Sequence, residues 1–167
     1  MNPLSHLLHD RLPAVDVAVM KHGFAAHGRD YTFVLESSFE PDPGTYRLTF
    51  THVVEFNQTT SVGDDVWQRS WSDVFTDYQA WEAAGAPDGY VFGTNWSLAY
   101  PGFEAIENDP VASSWAKRLQ RTMFAATVET DRFNIKLIFH DVRLDYLSAE
   151  ASTVSRVIAP LTVRPND

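Results

Sequence analysis

Apolar side chains recur at every second position in two stretches of this chain, and that period constrains its fold more than any other feature. Phe133, Ile135, Leu137 and Phe139 form one run, which Val142 extends. Tyr46, Leu48, Phe50 and Val54 belong to the other, with Arg47, Thr49 and Thr51 facing the opposite way. Successive residues of a strand point to opposite faces, so a period of two marks a strand with one face in a core. Each run has a companion across a turn. Tyr31 to Leu35 precedes Pro41-Asp42-Pro43-Gly44, where proline fixes φ and glycine supplies positive φ. Phe124 to Val128 precedes a turn at Thr130-Asp131. Two hairpins of this kind predict an antiparallel sheet.

Helices are expected between and before the hairpins. Asn2-Pro3 has the form of an N-cap followed by proline at the first helical position, and Leu4, Leu7, Leu8 and Leu12 mark one face up to Pro13. Val15, Val17 and Val19 then alternate like a half-buried strand, and Gly23 and Gly28 bracket a turn. Ser70 and Asp73 have capping-box spacing, and Trp71, Val74, Phe75, Tyr78 and Trp81 fall on one helical stripe that ends at Gly85. The spacing therefore predicts one helix over 71–84 whose apolar stripe packs on the sheet. A short strand at 89–96, a turn at Tyr100-Pro101-Gly102 and a helix starting at Asp109-Pro110 follow. The tail from about 148 is polar and expected on the surface.

The order predicts an α+β fold: one domain over 1–167, with a mainly antiparallel sheet of about five or six strands and helices packed on one side. With 167 residues and 44% hydrophobic composition, the chain is long enough for a single core. It has no cysteine, which removes disulfides and thiolate chemistry and fits a cytoplasmic setting. No basic start with an apolar block resembles a signal peptide, and no long apolar run predicts a membrane span.

Charge is the one functional clue. Between Asp64 and Asp109 the chain collects nine of its 22 carboxylates against one basic residue, Arg69, and four of its five tryptophans. Segments 1–63, 64–109 and 110–167 carry −3, −8 and +2, so the middle holds most of the net charge of −9. Concentrated like charge repels itself, so a basic protein partner is the expected use, with Asp64, Asp65, Asp73, Asp77 and Glu82 as the binding face. The competing reading is an acidic surface that only keeps the chain soluble. Nucleic acid is disfavoured as a partner by repulsion from phosphate.

A second group, His22, Arg29, Asp30, His52 and Asp141, lies in or beside apolar strands. If its members converge, a charge-assisted pair or a polar pocket for a small ligand or an enzymatic reaction results. His22, His27 and Asp30, with His140-Asp141 across the sheet, have ligand chemistry, but no metal-binding spacing, so no metal is expected. Asp64-Asp65 most simply caps a helix. No G-x-S-x-G elbow, dinucleotide fingerprint or phosphate loop occurs, so no catalytic residues and no cofactor are assigned.

Several short motifs occur together: His22-Gly23-Phe24, Arg29-Asp30-Tyr31, Trp67 with Arg69-Ser70, Gly89-Tyr90-Val91 with Gly93 and Trp96, Tyr100-Pro101-Gly102, and Asn134-Ile135 with Phe139 and Asp141. In this order they resemble the YxiG-like family of small bacterial proteins, from about residue 5 to 147. Here His27 stands where an aromatic is expected and His140 where a serine is usual. The resemblance implies no catalytic residues; it does imply an immunity-type role beside contact-toxin systems.

Overall fold

The computed structural model describes residues 1–12, 17–25, 27–38 and 43–148. Pro13, Val15, Asp16, Pro41, Asp42 and the tail beyond Ser148 lie outside them, and so do the expectations placed there.

Helix α1 (Pro3–Asp10) starts as its cap residues dictate: the buried Asn2 side chain accepts from the Leu4 amide at 3.1 Å and donates to the Ala125 carbonyl at 2.8 Å. Strands β1 (Val17–Phe24), β2 (Tyr31–Ser37), β3 (Gly44–Thr51) and β4 (Glu55–Thr60) follow. Next come α2 (Asp64–Trp67), a 3₁₀ turn (Trp71–Asp73), β5 (Val74–Phe75), α3 (Tyr78–Ala83) and β6 (Tyr90–Val91). Strand β7 (Ser97–Ile106), α4 (Pro110–Leu119), β8 (Phe124–Thr130), β9 (Phe133–Phe139) and β10 (Asp141–Ser148) complete the described order.

The fold is α+β with an antiparallel main sheet, and both hairpins, β2–β3 and β8–β9, are present. The sheet has eight strands, in the order β10-β3-β2-β1-β7-β8-β9-β4, not five or six. Two bends account for part of the difference. His52 takes a left-handed φ of 50°, which separates β3 from β4, and His140 separates β9 from β10. Thr51 pairs with Asp141 on one side of the bends and Glu55 with Ile138 on the other. The two end ladders of the sheet are thus halves of one bent ribbon, and the sheet curls round its core until its ends meet. Strand β7 is the other addition: Tyr100-Pro101-Gly102 lies inside it at a register shift instead of forming a turn, and the Tyr100–Pro101 peptide is cis. Likewise Gly23 pairs within β1, so the first turn begins only after Phe24.

Alternation sorts side chains between two apolar clusters. Phe33, Leu48, Phe50, Ala126, Val128, Ile135, Leu137 and Phe139 point inward, where Leu4 and Leu12 join them. Ala125 and Ile138 point outward and pack with Ala112 of α4 and Met123. Helices α1 and α4 therefore lie against opposite faces of the sheet, which corrects the one-sided arrangement. Asp109 begins α4 as its sequence predicts: its carboxylate accepts from the Val111 and Ala112 amides and from Lys136 Nζ at 2.7 Å. Burial disfavours the Asp109 charge, but Lys136 and the two amides outweigh it and hold the carboxyl below its usual range.

Candidate functional site

Between β4 and β7 the chain leaves the main sheet as a lobe, residues 61–96. The expected helix over 71–84 is not formed. Its stretch is divided into the 3₁₀ turn, β5 and α3, because capping residues interrupt it twice. The Asp73 carboxylate accepts from the amide and hydroxyl of Ser70, at 3.2 and 2.8 Å, which closes the first turn. Asp77 then caps a new helix by accepting from the Ala80 amide at 2.6 Å. Between the two caps, Val74 and Phe75 pair in parallel with Tyr90 and Val91. Glycine is required beside that pair, since a Cβ on Gly89 would sit 2.7 Å from the Asp73 carbonyl oxygen.

The apolar stripe accordingly does not pack on the sheet. Trp71 is 73% exposed, Trp67 54% and Tyr78 56%, while Val74, Phe75 and Trp81 are half-buried. Trp81 donates to the Pro87 carbonyl at 2.8 Å. Trp67 is held in place by its indole N–H, which donates to Thr60 Oγ1 at 3.0 Å, and it meets Trp71 edge to face with ring centres 6.3 Å apart. Beside this pair Val66, Trp67, Arg69, Trp71, Val74 and Phe92 line a cavity of about 140 Å³. Arg132, from the β8–β9 turn, anchors the lobe by donating to the carbonyls of Phe92 and Thr94 and to Thr94 Oγ1, at 3.1, 2.7 and 2.9 Å. Its guanidinium also lies over the Phe92 ring, 4.9 Å from the centre.

Asp64, Asp65, Asp73, Asp77 and Glu82 are all exposed on this lobe, together with Asp88. Asp64 and Asp65 occupy the first turn of α2, where the helix dipole favours them, but Gly63 and not an aspartate is the N-cap. Among the described residues none of these carboxylates forms an ion pair. The lobe thus joins uncompensated negative charge to exposed, fixed aromatic surface.

The second predicted group converges only in part. Asp30 Oδ1 accepts from the His52 amide at 3.0 Å and from Arg29 Nε at 3.2 Å. Burial opposes ionisation of Asp30, yet these donors outweigh it and keep the carboxyl below its ordinary value. His52 is pushed the same way by burial and by Arg29 and Arg121, and its Nδ1 is buried without a partner among the described residues. Its ring lies 5.7 Å from that of His140. His22 stands apart, facing the core with Nδ1 2.6 Å from the Tyr31 hydroxyl. Asp141 caps its own strand by accepting from the Val142 amide. His27 is exposed, and no group of three His, Asp or Glu side chains with metal-holding geometry occurs among the described residues.

One feature escaped the sequence reading. Outward side chains of three neighbouring strands, Asn57 and Thr59, Asn134 and Lys136, and Thr127 and Glu129, line a shallow groove. The dense threonines and asparagines of β4 offered no apolar period to reveal it. Lys136 is already committed to Asp109, and Glu129 forms no ion pair among the described residues.

These features define a small α+β protein with a curled antiparallel sheet and an acidic, aromatic lobe. The chain belongs to the YxiG-like protein family, whose model matches residues 1–162. That agrees with the resemblance carried by the ordered short motifs. No curated protein matches the chain. It is similar to the crystal structure of an uncharacterized protein from Neisseria gonorrhoeae, with 12% identity, a TM-score of 0.41, and coverage of 80% of this chain and 93% of that one. No described helix is long and apolar enough to cross a membrane.

Proposed function

We propose that this protein is a non-enzymatic binding module whose lobe docks on a basic protein, with the cytoplasm as its setting. The observation that carries this reading is the set of exposed lobe carboxylates that form no ion pair among the described residues, placed around exposed tryptophans. Solubility alone accounts for the charge but not for an exposed Trp67 fixed by a hydrogen bond, with the exposed Trp71 ring edge to face against it. Trp and Tyr are the residues that dominate binding energy at interfaces, and complementary charge speeds encounter. An immunity-type role, in which the module blocks a toxin, is the form suggested by the family resemblance. The alternative, an enzyme or small-ligand pocket near the first hairpin, has less support. Asp30 and His22 are engaged by neighbouring side chains and amides rather than aimed together into one site.

The test uses the full chain as bait in lysate at low and high salt, beside an Asp64→Asn, Asp65→Asn, Glu82→Gln variant that spares the two capping carboxylates. A basic protein retained stoichiometrically at low salt, with an on-rate lowered about tenfold or more by the variant, is the expected result. A partner bound equally by both forms and at both salt concentrations would overturn the proposal.

A further inference from the structure

We infer that the cavity between Trp67 and Trp71 receives one apolar side chain, of leucine or phenylalanine size, from a basic segment of the partner. The inference rests on the binding-module reading above and adds the chemistry of the anchor. Its first support is size. The cavity of about 140 Å³ is close to the engineered cavity of roughly 150 Å³ that admits benzene. Its second is lining: Val66, Trp67, Trp71, Val74 and Phe92 contribute apolar surface, and Arg69 is the one charged group. Such a wall suits hydrocarbon, and the acidic rim repels the phosphates of a nucleotide.

Order is the third support. Trp67 is fixed by its bond to Thr60, Trp71 meets it edge to face, and Val66 is buried beneath. A rigid aromatic corner loses little freedom on binding, which favours an anchor over a diffuse contact. The rim supplies the fourth. Asp64 and Asp65 precede Val66 in α2, and Asp73 follows Trp71, so three carboxylates stand against one guanidinium. Residues flanking the inserted side chain are therefore lysine or arginine. The same charge argues against a second copy of this chain as occupant, because two acidic lobes would face each other.

Three short blocked peptides test this on the full chain: leucine between lysines, alanine between lysines, and leucine between glutamates. Binding is read from the indole N–H signals of Trp67 and Trp71 and from the dissociation constants. The leucine–lysine peptide is expected to shift both indoles and to bind at least about tenfold more tightly than the alanine peptide. The glutamate peptide is expected not to bind. Trp71→Ala should make the two lysine peptides equal without lowering Tm, and Trp71→Phe should restore part of the preference. Equal binding of the two lysine peptides by the unaltered protein would overturn the anchor and leave the acidic lobe standing. A glutamate peptide that binds as well as its lysine counterpart would instead overturn the acidic-lobe reading itself. Failure of every peptide to bind would overturn both.

Discussion

His22 Nδ1 lies 2.6 Å from the Tyr31 hydroxyl, with the His22 ring against Phe133 on the inner side of the curled sheet. Burial pushes the Tyr31 pKa up to about 12, so its hydroxyl stays protonated and can donate to the Nδ1 of a neutral His22 in the tautomer that leaves that nitrogen free. The same burial lowers the His22 pKa. Protonating His22 would place a charge beside aromatic rings on the inner side of the sheet.

The folded pKa of His22 lies below 6.5, so above that value neither state carries the proton and this group leaves stability unchanged. As pH falls below about 6.5 the unfolded chain takes up a proton that the folded chain refuses, and stability drops. His52 acts in the same direction. Urea unfolding between pH 8 and pH 5 should show the decline, and His22→Gln should reduce its slope without abolishing it. A stability curve flat across that range would show that neither histidine is held neutral.

Removing Arg132 should loosen the lobe while leaving the sheet intact. Arg132→Ala deletes three hydrogen bonds to the lobe at Phe92 and Thr94. Hydrogen bonds from a charged donor contribute on the order of 2 kcal/mol. Amide exchange in β5 and β6 should accelerate accordingly, with exchange at Phe50 and Leu137 unchanged. Equal acceleration everywhere would mean that the lobe and the sheet unfold as one unit.

Core and surface aromatics should separate cleanly. Phe50 is fully buried, so Phe50→Ala should cost about 3–5 kcal/mol through the cavity left behind. Trp71→Ala should change stability by less than about 0.5 kcal/mol, because most of the ring is in solvent. Phe75 is half-buried in a two-residue strand and should fall between them. Denaturant midpoints of the three variants check the order.

Asp77 combines charge with capping, and two substitutions distinguish them. Asp77→Ala removes the acceptor of the Ala80 amide and should destabilise α3 by about 1 kcal/mol. Asp77→Asn keeps an acceptor and should cost much less, while losing the same negative charge. Amide exchange at Ala80 and Trp81 reads the first effect; association rate with a basic partner reads the second. Equal loss of helix protection in both variants would assign the effect to charge.

Legibility in the sequence tracked burial on one face. Phe133, Ile135, Leu137 and Phe139 alternate because only one side of β9 meets the inner core, and both hairpins were readable for that reason. Strand β4 was not readable, because its residues after Phe56 are exposed and polar, and its pairing with β9 depends on a bend at His52. The misread helix over 71–84 had the right spacing for a buried stripe, but local caps at Asp73 and Asp77 won over periodicity. Cap chemistry acts within three residues, whereas a stripe needs a surface to bury against, and this lobe supplies little. The acids of the lobe were visible as composition. The exposure of Trp71, and the contact between His22 and Tyr31, depend on tertiary placement that spacing does not encode.

The bent ribbon that joins Thr51 to Asp141 makes the lobe a passenger in folding. Ring closure brings together residues far apart in the chain, and everything from β4 to β9 forms the intervening loop. The entropy of closing a loop rises only logarithmically with its length, about 0.6 kcal/mol per doubling. Lengthening, shortening or replacing residues 61–96 therefore changes the closure cost little, provided Arg132 keeps an anchor. A scaffold built this way can exchange its lobe for another and still close the same ring.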